Sequence, residues 1–146
     1  MNLSKAIKVS VVSVGDTAAQ TELDTSVVDM QGFEGVMFVA VTGDVTASSV
    51  LTLTAKGNTA NSTSSPAPVT QKATAAVTAG ASDSDNKVLM VDVYKPVMRY
   101  IFAALTRTAA NAVIGPIIAI QYGAGLKPTT QDATVIASAF GLGVAA

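Results

Sequence analysis

The chain has 146 residues, 49% of them hydrophobic and 13% charged, with nine basic against ten acidic side chains and a formal net charge of -1; that length predicts one domain with one core. So few ionic groups, about half the roughly 25% usual in soluble domains, leave little repulsion between copies and predict an obligate assembly. Balanced charge without a basic run gives no footprint for a nucleic-acid backbone, and the lack of histidine and cysteine removes the usual general base, the thiol nucleophile and any disulfide or thiolate metal site.

Met1-Asn2-Leu3-Ser4-Lys5 leads into alternation and not into an unbroken apolar run, so no secretory signal is expected. From there apolar residues recur with period two, or in short β-branched runs bounded by Gly, Pro, Asn and Asp, which is the pattern of strands. Ala6 to Val14 reads as a first strand ended by Gly15-Asp16, and Thr21 to Val28 as a short one leading to a turn at Gly32. Val36 to Thr42 is apolar nearly throughout, which predicts a strand covered on both faces, with Gly43-Asp44 as the turn that ends it.

Ser49 to Lys56 alternates cleanly, with Leu51, Leu53 and Ala55 on one face and Val50, Thr52 and Thr54 on the other. The stretch from Gly57 to Pro68 has no apolar period and predicts a long exposed loop. A short strand at Ala73 to Thr78, a turn at Ala81 to Asn86 and a strand at Lys87 to Val93 follow. Beyond Pro96, Met98 to Thr106 and Asn111 to Tyr122 read as long partners joined through Arg107-Thr108-Ala109-Ala110. Pro116 has no N–H to donate and predicts a bulge or an edge strand.

Ala112 to Ile120 is the longest apolar stretch; broken by Gly115-Pro116, it has about half the length of a membrane-crossing helix, so a chain soluble alone or once assembled is expected. Thr129 to Ala146 is apolar without a period and predicts a last strand or an arm on a neighbouring subunit, Ala133 to Ala139 being where a short helix competes. Together the strands predict an all-β protein, an antiparallel β-sandwich of jelly-roll type spanning residues 1–128, with residues 129–146 as a C-terminal strand or arm.

Candidate chemistry is sparse. The carboxylate pairs Asp83 with Asp85 and Glu22 with Asp24 would suit glycosidic or metal-assisted chemistry in a cleft, but a solvated turn accounts for Asp83-Ser84-Asp85-Asn86 as well. That segment also opens like a calcium loop, yet it lacks the glycine and glutamate that complete the pattern. Gly123-Ala124-Gly125 has no amphipathic helix behind it to make a phosphate cradle. Asn2-Leu3-Ser4 and Asn61-Ser62-Thr63 match a glycosylation acceptor that matters only in a secretory setting. No catalytic residue, cofactor or metal site is expected.

Tyr94, Arg99 and Tyr100 flank Lys95-Pro96 and admit two readings: an exposed aromatic and arginine patch of the kind found at interface centres, or a core Tyr100 beside a solvated Arg99. Phe33, Phe38 and Phe102 read as core. Either terminus could add a strand to a neighbour's sheet, which makes Met1, Asn2, Leu3, Ser4 and Lys5, and Val135, Ile136 and Phe140, candidate interface residues.

Three blocks carry a family resemblance. Val28 to Phe38, Asp92-Val93-Tyr94-Lys95-Pro96 with Arg99-Tyr100, and Ile120 to Gly123 followed by Pro128-Thr129-Thr130 resemble a group of small virion proteins of tailed bacteriophages, the likeness running from about Val9 to Gln131. The resemblance implies a head-decoration or cement protein on the capsid surface, made in the host cytoplasm. It further implies a homotrimer whose other partner is the major capsid protein; the charge balance and the short apolar runs predict neither nucleic acid nor membrane as a partner. It transfers no functional residue. A head–tail joining or tail protein, and a carbohydrate- or surface-binding module using Tyr94, Tyr100 and Tyr122, are the alternatives.

Overall fold

The computed structural model describes residues 2–66 and 74–143; Met1, Pro68, Ala73 and the end of the tail lie outside the described residues. Leu3–Ala6 closes one helical turn (α1), in which the Ile7 N–H donates to the Leu3 carbonyl at 3.1 Å. This turn stands where the first strand was expected to begin. Ten strands follow: β1 Lys8–Ser13, β2 Asp16–Ala19, β3 Leu23–Asp24, β4 Val28–Asp29, β5 Gly35–Val45, β6 Val50–Asn58, β7 Thr74–Thr78, β8 Val88–Tyr94, β9 Tyr100–Thr108 and β10 Ala112–Tyr122.

Two antiparallel sheets result. The first has the order β1-β10-β5-β8, with β2 continuing β1 along β10; the second has the order β3-β9-β6-β7, with β4 continuing β3 along β9. Counting β1–β2 and β3–β4 as broken single strands, the first strand pairs with the last, the second with the next to last, and so inward to the β6–β7 hairpin. That is the jelly-roll wrap expected from the strand count, and it requires no crossover helix. Alternate side chains of both sheets meet between them: Val36, Phe38, Ala40, Val91, Ile117 and Ala119 from the first, Leu51, Leu53, Ile101, Ala103 and Leu105 from the second.

The departures from the sequence reading have local causes. Gly43-Asp44 lies inside β5 and the chain turns later, where the Ser49 N–H reaches the Thr46 carbonyl at 3.0 Å. Glycine suits that strand position because a Cβ at Gly43 would stand 2.9 Å from Val113 on β10. The expected strand at Thr21 to Val28 is split by Thr25, whose hydroxyl accepts from the Ala103 N–H at 3.0 Å and donates to the Ser26 carbonyl. A side chain there takes the place of a main-chain rung.

Pro116 sits in a strand flanked on both sides, so the edge alternative fails and the bulge holds. Ile114 faces Thr42 and Ile117 faces Ala40, three steps on β10 against two on β5, and the extra residue falls at Gly115-Pro116. Phe102 is fully buried but lies outside the central cluster, on the face of β9 opposite Ile101 and Ala103.

Arg107, read in sequence as part of a linker, is a fully buried residue of β9. Its guanidinium donates to the carbonyls of Thr21 (3.1 Å), Thr17 (2.9 Å) and Ala112 (2.9 Å), to the Thr21 hydroxyl (3.0 Å) and to the Asp16 carboxylate. It thereby ties the 16–21 segment to β9 and β10, and its hydrogen bond to Asp16, with its charge adding to the effect, holds that carboxylate below the ordinary range.

Candidate interaction surface

Strand register assembles a surface that no single segment displays. Side chains of the first sheet that point away from the core form two rows across all four strands, Val9, Ile120, Met37 and Asp92, then Val11, Ile118, Val39 and Met90, and a third across two, Val41 and Val88. Asp92 is the one charged member. The strand β5 is therefore not covered on both faces, since Met37, Val39 and Val41 are only half-buried. Toward the β8 edge the exposure rises, to 53% at Val88 and 57% at Met90. A contiguous apolar face of this kind is the usual mark of a contact surface.

At one end of the face the Tyr122 ring lies over Gly35, where a Cβ would overlap the ring. Its hydroxyl donates to Asp92 Oδ1 at 2.5 Å. Burial pushes this phenol well above its ordinary value, and the Asp92 carboxylate adds to the shift. The single acid of the surface is thus occupied by a neutral donor. Tyr94 stands opposite, 61% exposed, with Lys95 Nζ 5.3 Å from its ring centre.

Arg99 lies at the neighbouring corner. It grips Asp29 through Nε and Nη2, both at 2.9 Å, reaches Gln31 Oε1 at 2.6 Å and sits 5.2 Å from the Tyr100 ring centre. The guanidinium holds Asp29 below the ordinary carboxylate range, and Asp29 in turn raises Arg99. Between these groups runs an open groove of about 530 Å³ floored by Met30, Phe33 and Met98. Tyr94 and Arg99 are exposed, while Tyr100 is half-buried on the second sheet. Tyr94, Tyr100 and Tyr122 therefore form no common platform. The three blocks that carry the phage resemblance do converge here, because Gly35 pairs with both Tyr122 and Tyr94, and Asp29 pairs with Tyr100.

The two termini meet each other. Gln131 Oε1 accepts from the Val9 N–H at 2.9 Å and Thr134 Oγ1 from the Val11 N–H at 3.0 Å, closing the outer edge of β1. Gln131 Nε2 also donates to the carbonyls of Ser4 and Ile7, and the Thr129 N–H to the Lys5 carbonyl at 2.9 Å. Asn2, Leu3, Ser4 and Lys5 are thus held by their own chain and form a helical turn in place of a donated strand. After Thr134 no helix or strand follows among the described residues, and Ile136 and Phe140 are exposed while Val135 is half-buried.

The remaining motifs are engaged locally. Asp83 accepts from the Gly80 N–H and Asp85 from the Val45 N–H, both at 2.8 Å, as turn acids do. Glu22 pairs with Lys56 at 2.9 Å, which lowers its pKa. Partial burial, with Glu22 next to it, raises that of Asp24. Among the described residues no three acids gather as a metal-binding group. The Gly125 N–H bonds the Gly32 carbonyl, so Gly123-Ala124-Gly125 is a turn.

No protein-family model matches the chain and no curated protein matches it in sequence. Among solved structures, a chain of the infectious bursal disease virus Gx strain superposes with a TM-score of 0.52 at 9% identity, over 84% of this chain and 33% of that one. A Bacillus endospore appendage protein, from a family of disulfide-linked pili, gives 0.47 at 17% identity over 84% and 92%. The Eiger TNF of S. frugiperda gives 0.36 at 7% identity over 87% and 99%. At these identities the viral likeness establishes the fold, an all-β antiparallel sandwich.

Proposed function

We propose that the chain is a non-enzymatic structural subunit that associates through the outer face of its first sheet, and that it decorates and stabilises a bacteriophage capsid as a homotrimer bound to the major capsid protein. The observation that carries this reading is the apolar face of β1, β10, β5 and β8, whose one acid is occupied by Tyr122. An isolated monomer would keep that surface in water with only nine basic and ten acidic groups in the whole chain to hold it apart from other copies. The convergence of the three resembling blocks at the Tyr122–Gly35–Tyr94 end makes that end the candidate contact with the shell. Such binding would add to the stability of the particle by mass action.

Electron microscopy of particles with and without the protein tests the reading. Threefold surface protrusions that vanish without the protein, together with earlier loss of the shell on heating, are expected. Rings or tubes would assign it instead to the head–tail or tail machinery. A protein that stays monomeric and does not sediment with capsids would overturn the proposal.

A further inference from the structure

We infer that the C-terminal arm, residues Val135 to Gly143, pairs as an added strand along the open edge of β8 in a second copy of this chain, an inference that rests on reading the chain as a self-assembling subunit.

The acceptor is defined by hydrogen-bond parity. Thr42 N–H donates to the Lys87 carbonyl at 2.8 Å and Lys95 N–H to the Glu34 carbonyl, so the amides of Leu89, Val91 and Val93 face β5. Those of Val88, Met90, Asp92 and Tyr94 face outward, and among the described residues no strand, loop or side chain bonds to them. Edges are ordinarily blunted by lysine, proline or a bulge. Between Val88 and Tyr94 there is none of these, and the register with β5 is unbroken.

The donor is the segment after the Thr134 clip. From Ala133 to Ala146 the sequence carries no charged side chain, and Ile136 and Leu142 are 99% and 74% exposed with nothing among the described residues to cover them. Residues 135–143 would span about 30 Å when extended, against about 23 Å for the seven residues of β8. The arm is long enough for the whole edge. Area points the same way: four strands by seven residues give a face of about 400 Å², while a stable interface buries about 800 Å² per partner. An added strand supplies most of the difference, with main-chain hydrogen bonds.

The arm leaves beside β1 and the open edge is β8, at the opposite side of the same sheet, so the contact is head-to-tail. A rotation that closes after three copies yields a trimer. The chain's own β8 lies about 15 Å from Val11, three strand spacings away, and is the competing site.

Amide hydrogen exchange distinguishes the two. Isotope-labelled protein ending at Thr134 is mixed with unlabelled full-length chain, and the labelled amides of Val88, Met90, Asp92 and Tyr94 are followed. Protection at least tenfold greater than in the truncated protein alone is expected. Met90→Pro removes an outward N–H without touching the β5 ladder; it should fold normally and lose tenfold or more in association relative to Met90→Ala, which removes the same side chain from the apolar face but keeps the N–H, and equal association of the two variants would overturn the inference. Protection confined to full-length monomers would show the arm on its own edge and overturn the inference. Assembly of the truncated protein with those four amides still open would overturn it while leaving the subunit function standing. A full-length chain that is monomeric at all concentrations would overturn both.

Discussion

Replacing Arg107 by leucine removes five hydrogen bonds from one buried side chain. Not all of that loss is felt. Thr17 and Thr21 are exposed and Asp16 is partly so, and water can take over at those groups, but the Ala112 carbonyl is sealed in the interior. An unsatisfied buried acceptor costs about 1–3 kcal/mol, and charge-assisted bonds replaced by water add more; deletion of one partner of a fully buried pair costs about 3–5 kcal/mol. Because Asp16 is not stranded, a loss of about 3 kcal/mol is expected. Urea unfolding followed by circular dichroism at fixed subunit concentration reads it as a midpoint lowered by at least about 1 M, for a slope of about 1–3 kcal/mol per molar. Arg107→Lys should fall between, since an ammonium cannot reach three separated carbonyls at once. A drop below about 1 kcal/mol for the leucine variant would refute the claim that Arg107 holds β2 to the sandwich.

Three further expectations follow from the geometry. Asp16, Glu22, Asp29 and Asp132 are all lowered from ordinary values of 3.8 or 4.5, so their contribution is complete above those values and is lost as pH falls through the lower folded ones. Asp24, which is raised, works in the opposite direction, being favourable below 3.8 and lost as pH rises through its higher folded value. With four groups against one, the urea midpoint should fall between pH 5 and pH 3, and a flat or rising midpoint would contradict the assignment. Gly35→Val should cost about 1–3 kcal/mol by overpacking against the Tyr122 ring, visible in thermal unfolding and as release of the Tyr122 hydroxyl from Asp92 in NMR. Thr25→Val, which strands the buried Ala103 N–H, should cost about 1–3 kcal/mol, with faster hydrogen exchange at Ala103.

The strands legible in sequence were those with one wet face. Leu51, Leu53 and Ala55 alternate with Val50, Thr52 and Thr54, and polarity alone separates the two sides. The same signal failed for β5, where Met37, Val39 and Val41 are as apolar as the core residues between them. An apolar outer face looks like an interior to a period-two reading. Thr25 and Arg107 were missed for another reason: their bonds run to residues 78 and up to 91 positions away, and local composition carries no trace of such partners. The surface itself needed register, because Val9, Val39, Ile118 and Met90 come from four distant stretches and become neighbours only through the pairing of β1, β10, β5 and β8. Pro116 did announce its bulge, since a missing donor is a local property.

The pairing of β1 with β10 has a consequence for synthesis. As the chain leaves the ribosome, β1 has no companion until residues 112–122 have emerged, so closure of the first sheet waits for the last of its strands. Until then the segments with the greatest tendency to cluster have no finished layer to join. The partly made sandwich is therefore open to misassociation throughout that interval, and its two layers are completed late and together.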